Sequence, residues 1–172
     1  MNTIRPIVKS DIFDVAECHI QSWKAGFEHI LSQNILNNLS HSKFEENWLI
    51  VLQNQSRTNL GYFEKDRICG FVSFGSAKND DKNSQITGEI YGIYVAPERW
   101  GTGIAQKLLH TALKQLKEMK FSQVILWTMT KNKRGRNFYE KEGFRLISNK
   151  RISEREGEKF EEVQYVIENK IT

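Results

Sequence analysis

Apolar residues recur along this chain with two spacings, and each spacing predicts a different kind of element. Helical spacing, in which apolar side chains return every three or four residues, predicts helices at 11–25, 42–53 and 102–119. Short apolar runs and strict alternation predict strands at 2–8, 60–64, 68–76, 86–95, 124–128, 144–152 and 159–168. A shorter helix is expected at 133–141, ended by Gly143.

Polar residues and turn formers mark the connections between these elements. Ser10 is the expected N-cap of the first helix. Lys65, Asp66 and Arg67 predict a tight turn between two strands. A polar loop rich in Asn, Asp and Lys is expected at 78–84, and the pattern at 28–38 is ambiguous.

The order of the elements predicts an α/β (α+β mixed) fold, with a mixed sheet of about seven strands and helices on both faces. The strands at 86–95 and 124–128 are separated by a single helix, so we expect them to be parallel with a right-handed crossover. A ligand at the N-terminus of that helix would then lie beside the carboxyl ends of both strands.

The composition predicts a single domain over residues 1–172. Of the 172 residues, 39% are hydrophobic and 27% are charged, which is typical of a globular protein. No apolar run reaches the roughly 18 residues of a membrane span, and the N-terminus lacks the apolar core of a signal peptide. Cys18 and Cys69 are too few for a disulfide framework or a zinc site. We therefore expect a cytoplasmic protein with neither a metal site nor a membrane partner.

The net charge of +4 and the pI near 9.0 raise the question of a nucleic-acid partner. The basic residues are interleaved with 21 acidic ones, so a nucleic-acid partner is not expected. One local basic cluster, at 131–136, is interpreted either as a solvated face or as a docking surface for a polyanionic cofactor.

The segment 89–109 carries the most specific chemistry of the chain. A strand ends there, and Gly101 and Gly103 lie directly before a strongly amphipathic helix. Unpaired backbone N–H groups and the dipole at the helix N-terminus favour an anion. A dinucleotide fingerprint does not fit, because Gln106 stands where its last glycine belongs, and the P-loop Gly-Lys-Ser/Thr is absent. A phosphate cradle of another kind is predicted.

Several further motifs accompany this loop. The strand EIYGIYV at 89–95 is followed by Pro97, by RWGTGIA at 99–105, and then by Asn132 and FYEKEGF at 138–144. Together they resemble the central motifs of the GNAT acetyltransferase superfamily, of the bacterial small-molecule type. The resemblance covers roughly residues 59–145, which makes it far more specific than the glycine loop alone.

The resemblance implies a GNAT-like three-layer sandwich and direct transfer of an acetyl group from acetyl-CoA to an amine, without an acyl-enzyme. It also implies that the two parallel strands splay apart and leave backbone groups for the cofactor arm. The implied cofactor-binding residues are Ile93, Tyr94, Val95, Trp100, Gly101, Thr102, Gly103, Ile104, Ala105, Asn132, Arg136 and Tyr139. Trp100 departs from the Gln or Arg that is usual at its position, and Ala105 replaces a common glycine.

The chemistry of acetyl transfer requires a base, an oxyanion donor and a donor to the leaving thiolate. Glu89 is the candidate base, because it matches the glutamate that many members of the superfamily use. Strand alternation places Glu89 on one face with Tyr91, Ile93 and Val95. Tyr139 matches the tyrosine near the sulfur, and we expect it to give its proton to the thiolate. A backbone N–H near Tyr94 or Val95 is the candidate oxyanion donor.

The acceptor is the least determined part of the prediction. Trp23, Phe27 and Tyr91, with Trp48, are the candidates for an aromatic wall around an amine, or else pack in the core. The four histidines adjoin no motif and are expected to be helix-surface or structural residues rather than catalytic bases. Transfer to a hydroxyl or of a longer acyl group, and a non-catalytic CoA-binding or regulatory module, remain alternatives. A homodimer through the strand at 159–168 is also possible.

Overall fold

The computed structural model describes residues 2–77, 86–155 and 157–168. The strands are β1 (Asn2–Pro6), β2 (Arg57–Glu64), β3 (Arg67–Ser76), β4 (Thr87–Val95), β5 (Gln123–Met129), β6 (Arg145–Arg155) and β7 (Glu158–Glu168). The helices are α1 (Ile12–Gly26), α2 (Gln33–Asn37), α3 (His41–Gln53), α4 (Ile104–Glu118) and α5 (Lys133–Lys141). Short 3₁₀ turns lie at Lys9–Asp11 and Pro97–Arg99.

The strands form a seven-stranded sheet in the order β1-β2-β3-β4-β5-β7-β6. The pairings are antiparallel except that between β4 and β5, which α4 connects in parallel. The predicted parallel pair and mixed sheet are therefore confirmed.

Helices cover both faces of the sheet. On one face, α1 and α3 pack against Phe63 and Phe71. On the other face, the fully buried Leu108 and Leu109 of α4 pack against Phe74. Burial of one such leucine contributes about 1.5 to 3 kcal/mol, so the apolar stripe of α4 fixes that helix, and the loop before it, against the sheet.

The start of α1 differs from the prediction. Ser10 lies inside the 3₁₀ turn, and Asp11 occupies the N-cap position without a side-chain cap bond. The Asp11 carboxylate instead accepts from the backbone N–H of Val8 at 2.9 Å and pairs with Arg5 at 2.7 Å. This ion pair lowers the pKa of Asp11 and ties the end of β1 to the start of the helix.

The ambiguous segment 28–38 contains the short helix α2, whose first turn is capped by the hydroxyl of Ser32. The predicted hairpin turn is confirmed but is shorter, because Arg67 already pairs with Glu64. Lys65 and Asp66 take positive φ values of 47° and 68°, as a two-residue turn requires. The predicted polar loop at 78–84 lies outside the described residues.

The C-terminal strand lies inside the sheet rather than at its edge. Strand β7 pairs with β5 on one side and with β6 on the other. Both edges of β7 are therefore already paired within the chain, so its backbone is not a free edge for a second subunit, and the possible homodimer stays a prediction. No helix in the described residues has the length and apolar character needed to cross a bilayer.

Candidate active site

The central feature of the site is the gap that opens between the parallel strands β4 and β5. Their paired positions run from Thr87 with Gln123 to Ile90 with Leu126. Beyond these pairs, residues 91–95 of β4 are no longer paired with residues 127–129 of β5 in the described sheet. The predicted splay is thus present, and it opens toward the N-terminus of α4.

The backbone of β4 presents hydrogen-bonding groups to this gap. The N–H of Ala96 donates to the carbonyl of Cys69 on β3 at 2.9 Å. Because successive residues of a strand direct their backbone groups to opposite sides, Val95 and Ile93 direct theirs to the gap. The Val95 carbonyl accepts from Ser22 Oγ at 2.9 Å and from Trp100 Nε1 at 2.8 Å. The N–H of Val95, rather than that of Tyr94, is therefore placed to face a ligand.

The glycine loop has the geometry of an anion cradle. Gly101 and Gly103 have φ values of +78° and +82°, which strain any residue with a side chain. A Cβ built on either glycine meets no atom of the chain within 4 Å, so the outer side of the loop is open. Gly103 is the N-cap of α4 and leaves the first backbone N–H groups of this helix directed outward.

Gap and loop together line a cleft of about 940 Å³. The predicted residues that line this cleft are Trp23, Phe27, Glu89, Tyr91, Ile93, Tyr94, Val95, Trp100, Gly101, Gly103, Ile104, Ala105, Asn132 and Tyr139. Asn132 also caps α5, since its Oδ1 accepts from the backbone N–H of Gly135 at 3.0 Å. The shape of the cleft and the open cradle fit a long cofactor with a phosphorylated end.

Two predicted cofactor residues are directed elsewhere. Arg136 donates from Nε to the hydroxyl of Tyr165 at 3.0 Å and from Nη1 to the carbonyl of Thr130 at 3.1 Å. The Thr102 hydroxyl donates to the carbonyl of Arg99 at 2.7 Å, which closes the turn of the glycine loop. Neither side chain lines the cleft, so both stabilise the surrounding loops instead.

Arg134 occupies the place expected of Arg136. Its guanidinium carbon lies 3.3 Å from the ring centroid of Trp100, and it lines the cleft. The indole N–H of Trp100 is held by the Val95 carbonyl, so the ring is a fixed platform for Arg134. Arg134 of α5 thus places a cation beside Trp100, the position at which the family usually has Gln or Arg. Sequence spacing alone did not distinguish Arg134 from Arg136, because both belong to one basic cluster.

A β-bulge in β4 changes the face on which Glu89 lies. Ser73 pairs with Gly92 and Phe74 pairs with Ile90, which leaves Tyr91 as an extra residue. The alternation therefore shifts by one, and Glu89 shares its face with Tyr94 instead of Ile93. The expectation that Glu89, Ile93 and Val95 share one face is wrong for this reason.

Glu89 is buried, with 4% of its surface exposed, and it lies one residue before the last paired position of β4. It is aligned across the sheet with Gly75 and Arg57. A Cβ on Gly75, the middle position, would clash with the Ser56 carbonyl and would lie 3.1 Å from the Tyr91 hydroxyl, so glycine makes room for both groups. The Tyr91 hydroxyl donates to the Ser76 carbonyl, and burial together with the charge of Glu89 raises the pKa of this phenol.

Tyr139 extends from α5 into the cleft and contacts the rings of Phe138 and Phe144. Burial, with a smaller contribution from Tyr94, raises the pKa of its phenol above the usual value of about 10. The group is therefore a neutral hydrogen-bond donor at physiological pH. It is a weaker acid than a thiol of pKa about 8.5, so the expected full proton transfer to a thiolate is uphill.

A second cavity, of about 400 Å³, adjoins the cleft on the face covered by α1 and α3. The two cavities share Trp23, Tyr91, Gly92, Tyr94 and Arg155 as lining residues. Among the predicted acceptor residues, Trp23 and Tyr91 therefore stand at the junction, whereas Phe27 lines only the larger cleft. Trp48 lines the second cavity but is packed in the core, with 4% of its surface exposed.

Sequence reasoning missed three residues of this second cavity. They are His19, Arg57 and Arg155, from α1, β2 and β6. His19 lies on the buried side of α1 by helical periodicity, which is the one signal that could have identified it. Arg57 and Arg155 come together only because the sheet brings β2, β4 and β6 around one opening.

Comparison with known proteins identifies the family. A family model described as "Acetyltransferase (GNAT) family" matches residues 22–144. The chain belongs to this family. A Bacillus subtilis (strain 168) protein named "Uncharacterized N-acetyltransferase YuaI" is 32% identical over 136 residues, which are 77% of this chain and 74% of that protein. The predicted superfamily and the predicted class of acyltransferase are confirmed.

One sequence match and one structural match come from Thermoplasma acidophilum. A protein named spermidine N(1)-acetyltransferase is 25% identical over 148 residues, covering 83% of this acetyltransferase and 88% of the relative. The crystal structure of PaiA N-acetyltransferase in complex with coenzyme A has a TM-score of 0.70 at 22% identity, and covers 95% and 98% of the two chains. The fold is thus shared with a protein that holds coenzyme A, as predicted for the cofactor.

Proposed function

We propose that this acetyltransferase moves an acetyl group from acetyl-CoA to the primary amine of a small molecule or peptide, by direct attack with both substrates bound. The observation that carries the proposal is the junction of the two cavities. The open glycine cradle and the gap in the sheet belong to the larger cleft, and Glu89 and Tyr139 line the same cleft. The smaller cavity meets it beside the bulge in β4.

Acetyl-CoA, when bound, supplies an acetyl thioester. The glycine loop and Arg134 would hold its phosphates, and the β4 backbone at Ile93 would orient its arm by hydrogen bonds, since the Val95 carbonyl already accepts from Ser22 and Trp100. The Val95 N–H would donate to the acetyl oxygen as negative charge develops there. A donor fixed by the sheet needs no rearrangement at the moment of reaction, which is the source of its catalytic value.

Glu89 is proposed as the group that takes a proton from the acceptor, directly or through a water molecule. An alkylammonium has a pKa of about 10.4, so almost none of it is nucleophilic at neutral pH. The Glu89 carboxylate lines the larger cleft two residues before Tyr91, which both cavities share, and an acceptor in the smaller cavity would present its amine on that side. General base catalysis of this kind contributes about 100-fold or more to the rate.

Tyr139 is proposed as a hydrogen-bond donor to the leaving sulfur. Its phenol keeps its proton at neutral pH, because burial raises its pKa. Hydrogen bonds to a charged acceptor contribute about 1.5 to 3 kcal/mol, and this bond forms only as charge appears on sulfur. The stabilisation therefore acts on the rate and leaves cofactor affinity nearly unchanged.

The test is acetylation of a panel of polyamines, amino acids, aminoglycosides and short peptides, followed by thiol release and by the mass of the product. Tyr139→Phe is expected to lower kcat about 10- to 100-fold with acetyl-CoA affinity nearly unchanged. Tyr62→Phe removes a buried phenol that lines neither cavity and is the matched control. Equal losses of binding and rate in Tyr139→Phe would contradict its role.

Glu89→Gln is expected to lower the rate about 100-fold at pH 7. The deficit should shrink as pH rises, because the free amine increases about tenfold per pH unit below the ammonium pKa. Glu118→Gln, in the last turn of α4 and outside both cavities, serves as the control. A deficit of the same size at every pH contradicts the role of Glu89 as base. Tight acetyl-CoA binding without transfer to any acceptor would instead support a CoA-binding module.

A further inference from the structure

We propose that the acceptor of this acetyltransferase carries an anionic group, such as a carboxylate, beside its amine, and that Arg57 and Arg155 bind this group in the smaller cavity. The inference deepens the proposed function and rests on it for the identity of the amine as acceptor. The smaller cavity is called the aromatic pocket below. Its ring-bearing walls include His19, Trp23, Phe44, Trp48, Phe71 and Tyr94.

Neither guanidinium group is in direct contact with a carboxylate of the described residues. Arg57 donates from Nε to Ser73 Oγ at 2.7 Å and lies 4.4 Å from the ring centroid of Tyr91. Arg155 lies 4.7 Å from the ring centroid of Trp23. Within the described residues, neither forms an ion pair. Each therefore keeps N–H donors for a ligand, in a geometry that suits a carboxylate.

The lining of the aromatic pocket carries more cations than carboxylates. Its titratable lining consists of Arg57, Arg155, Glu154, His19 and two tyrosines, so that two cations face one carboxylate among the described residues. The Glu89 carboxylate, which lines the larger cleft, also attracts the Arg57 guanidinium. Burial costs Arg57 part of its hydration and lowers the pKa of its guanidinium. A bound anion would offset this cost.

His19 supplies a second, independent observation. Its ring is surrounded by aromatic side chains, with centroids at 4.6 Å from Tyr94, 4.8 Å from Phe44 and 5.0 Å from Phe71. Both ring nitrogens are buried, and neither has a hydrogen-bond partner within the described part of the chain. A buried imidazole without partners is costly unless a ligand completes its hydrogen bonds. The His19 ring lines the aromatic pocket, so a polar group of a bound acceptor would complete its hydrogen bonds.

The volume limits the size of the acceptor. About 400 Å³ accommodates roughly 13 water-sized groups, at about 30 Å³ each. That is the size of an amino acid or a dipeptide. Such a molecule can place an apolar arm among the rings and its anion against the two arginines. Its amine would then reach the junction, where Glu89 lines the adjoining cleft.

The test compares pairs of amines that differ only in a carboxylate: leucine with 3-methylbutylamine, phenylalanine with 2-phenylethylamine, and methionine with 3-(methylthio)propylamine. Binding is measured by calorimetry with CoA bound, so that no acetyl group can be transferred. The carboxylated member of a pair is expected to bind 10- to 100-fold more tightly in the unchanged protein. Spermidine, which has amines but no anion, is expected to bind no better than the decarboxylated members.

Arg155→Gln should reduce the preference for the carboxylated members about tenfold, and Arg155→Lys should restore part of it. Arg155 is exposed on β6, so its replacement leaves the core intact. Arg145→Gln removes another exposed β6 arginine that lines neither cavity, and it should keep the preference. Affinities that are equal within each pair, or that Arg155→Gln lowers equally for both members, would overturn the anion site.

Acetyl transfer to the same compounds is measured separately with acetyl-CoA. If carboxylated amines bind preferentially but no amine is acetylated, the proposed function fails while the anion site stands. If both members of each pair are bound and acetylated equally, the anion site is overturned while the proposed function stands. If neither member of any pair binds, the anion site is also overturned.

Discussion

His19→Phe is expected to reduce the sensitivity of this protein to acid. Burial, with smaller contributions from Arg155 and Arg57, lowers the pKa of His19 to about 3 in the folded chain. In the unfolded chain the value is about 6.5. Between these values the unfolded state binds one more proton than the folded state, so stability is complete above pH 6.5 and is lost as pH falls toward 3. Phenylalanine has a similar ring and cannot bind the proton.

The size of the effect follows from these two pKa values. From pH 7 to pH 5, protonation of His19 in the unfolded state costs the unchanged protein about 2 kcal/mol of unfolding free energy. In a chain of 172 residues this corresponds to a fall in Tm of about 4 to 8 °C. His19→Phe should lack this part of the fall. At pH 7 the variant should be at least as stable as the parent, because no described group bonds to the imidazole nitrogens.

The assay is urea and thermal unfolding at pH 7, 6 and 5, followed by circular dichroism. Other carboxylates and histidines also change stability over this range, so the quantity to compare is the difference in slope between parent and variant. His29→Gln removes a histidine whose side chain is 90% exposed and is the matched control. Parallel slopes for His19→Phe and the parent would refute the reasoning, since they would mean that the pKa of His19 does not differ between the folded and the unfolded chain.

Two further predictions concern the cofactor cleft. Gly103→Glu should abolish CoA binding, because it places bulk and negative charge where the phosphates would lie. The control is Gly157→Glu, which introduces the same side chain at φ +81° in open space outside both cavities. CoA should still bind to this control variant. Arg134→Gln should weaken acetyl-CoA binding about 10-fold with kcat within about 2-fold, measured by initial rates. Lys133→Gln, one residue away but outside the cleft lining, should leave that binding unchanged, and equal losses in both variants would assign the effect to general surface charge.

The reach of sequence reasoning is clearest in β4. The apolar run, the glycine loop and the amphipathic α4 predicted a parallel strand pair and a phosphate cradle, and both are present in the structure. Alternation along β4 failed for Glu89, because the bulge at Tyr91 depends on pairing with β3. A bulge inserts a residue without leaving a sign in the local pattern of apolar positions.

The basic cluster on α5 illustrates a second limit. Its composition indicated a candidate docking surface, but not which arginine lies in the cleft. Arg136 is directed to Tyr165, and Arg134 to the ring of Trp100. The orientation of each arginine side chain depends on a partner residue that is distant in sequence.

By itself, then, the sequence determined the order of elements, the mixed sheet and the family motifs, because periodicity, glycine positions and helix starts are properties of neighbouring residues. Tertiary structure alone decided the face of Glu89, the choice of Arg134 and the convergence of His19, Arg57 and Arg155 on one pocket. His19, Arg57 and Arg155 come from α1, β2 and β6, and no local pattern relates their positions. They meet because the strands between them pair in one register, and that register is set by packing of the whole sheet against its helices.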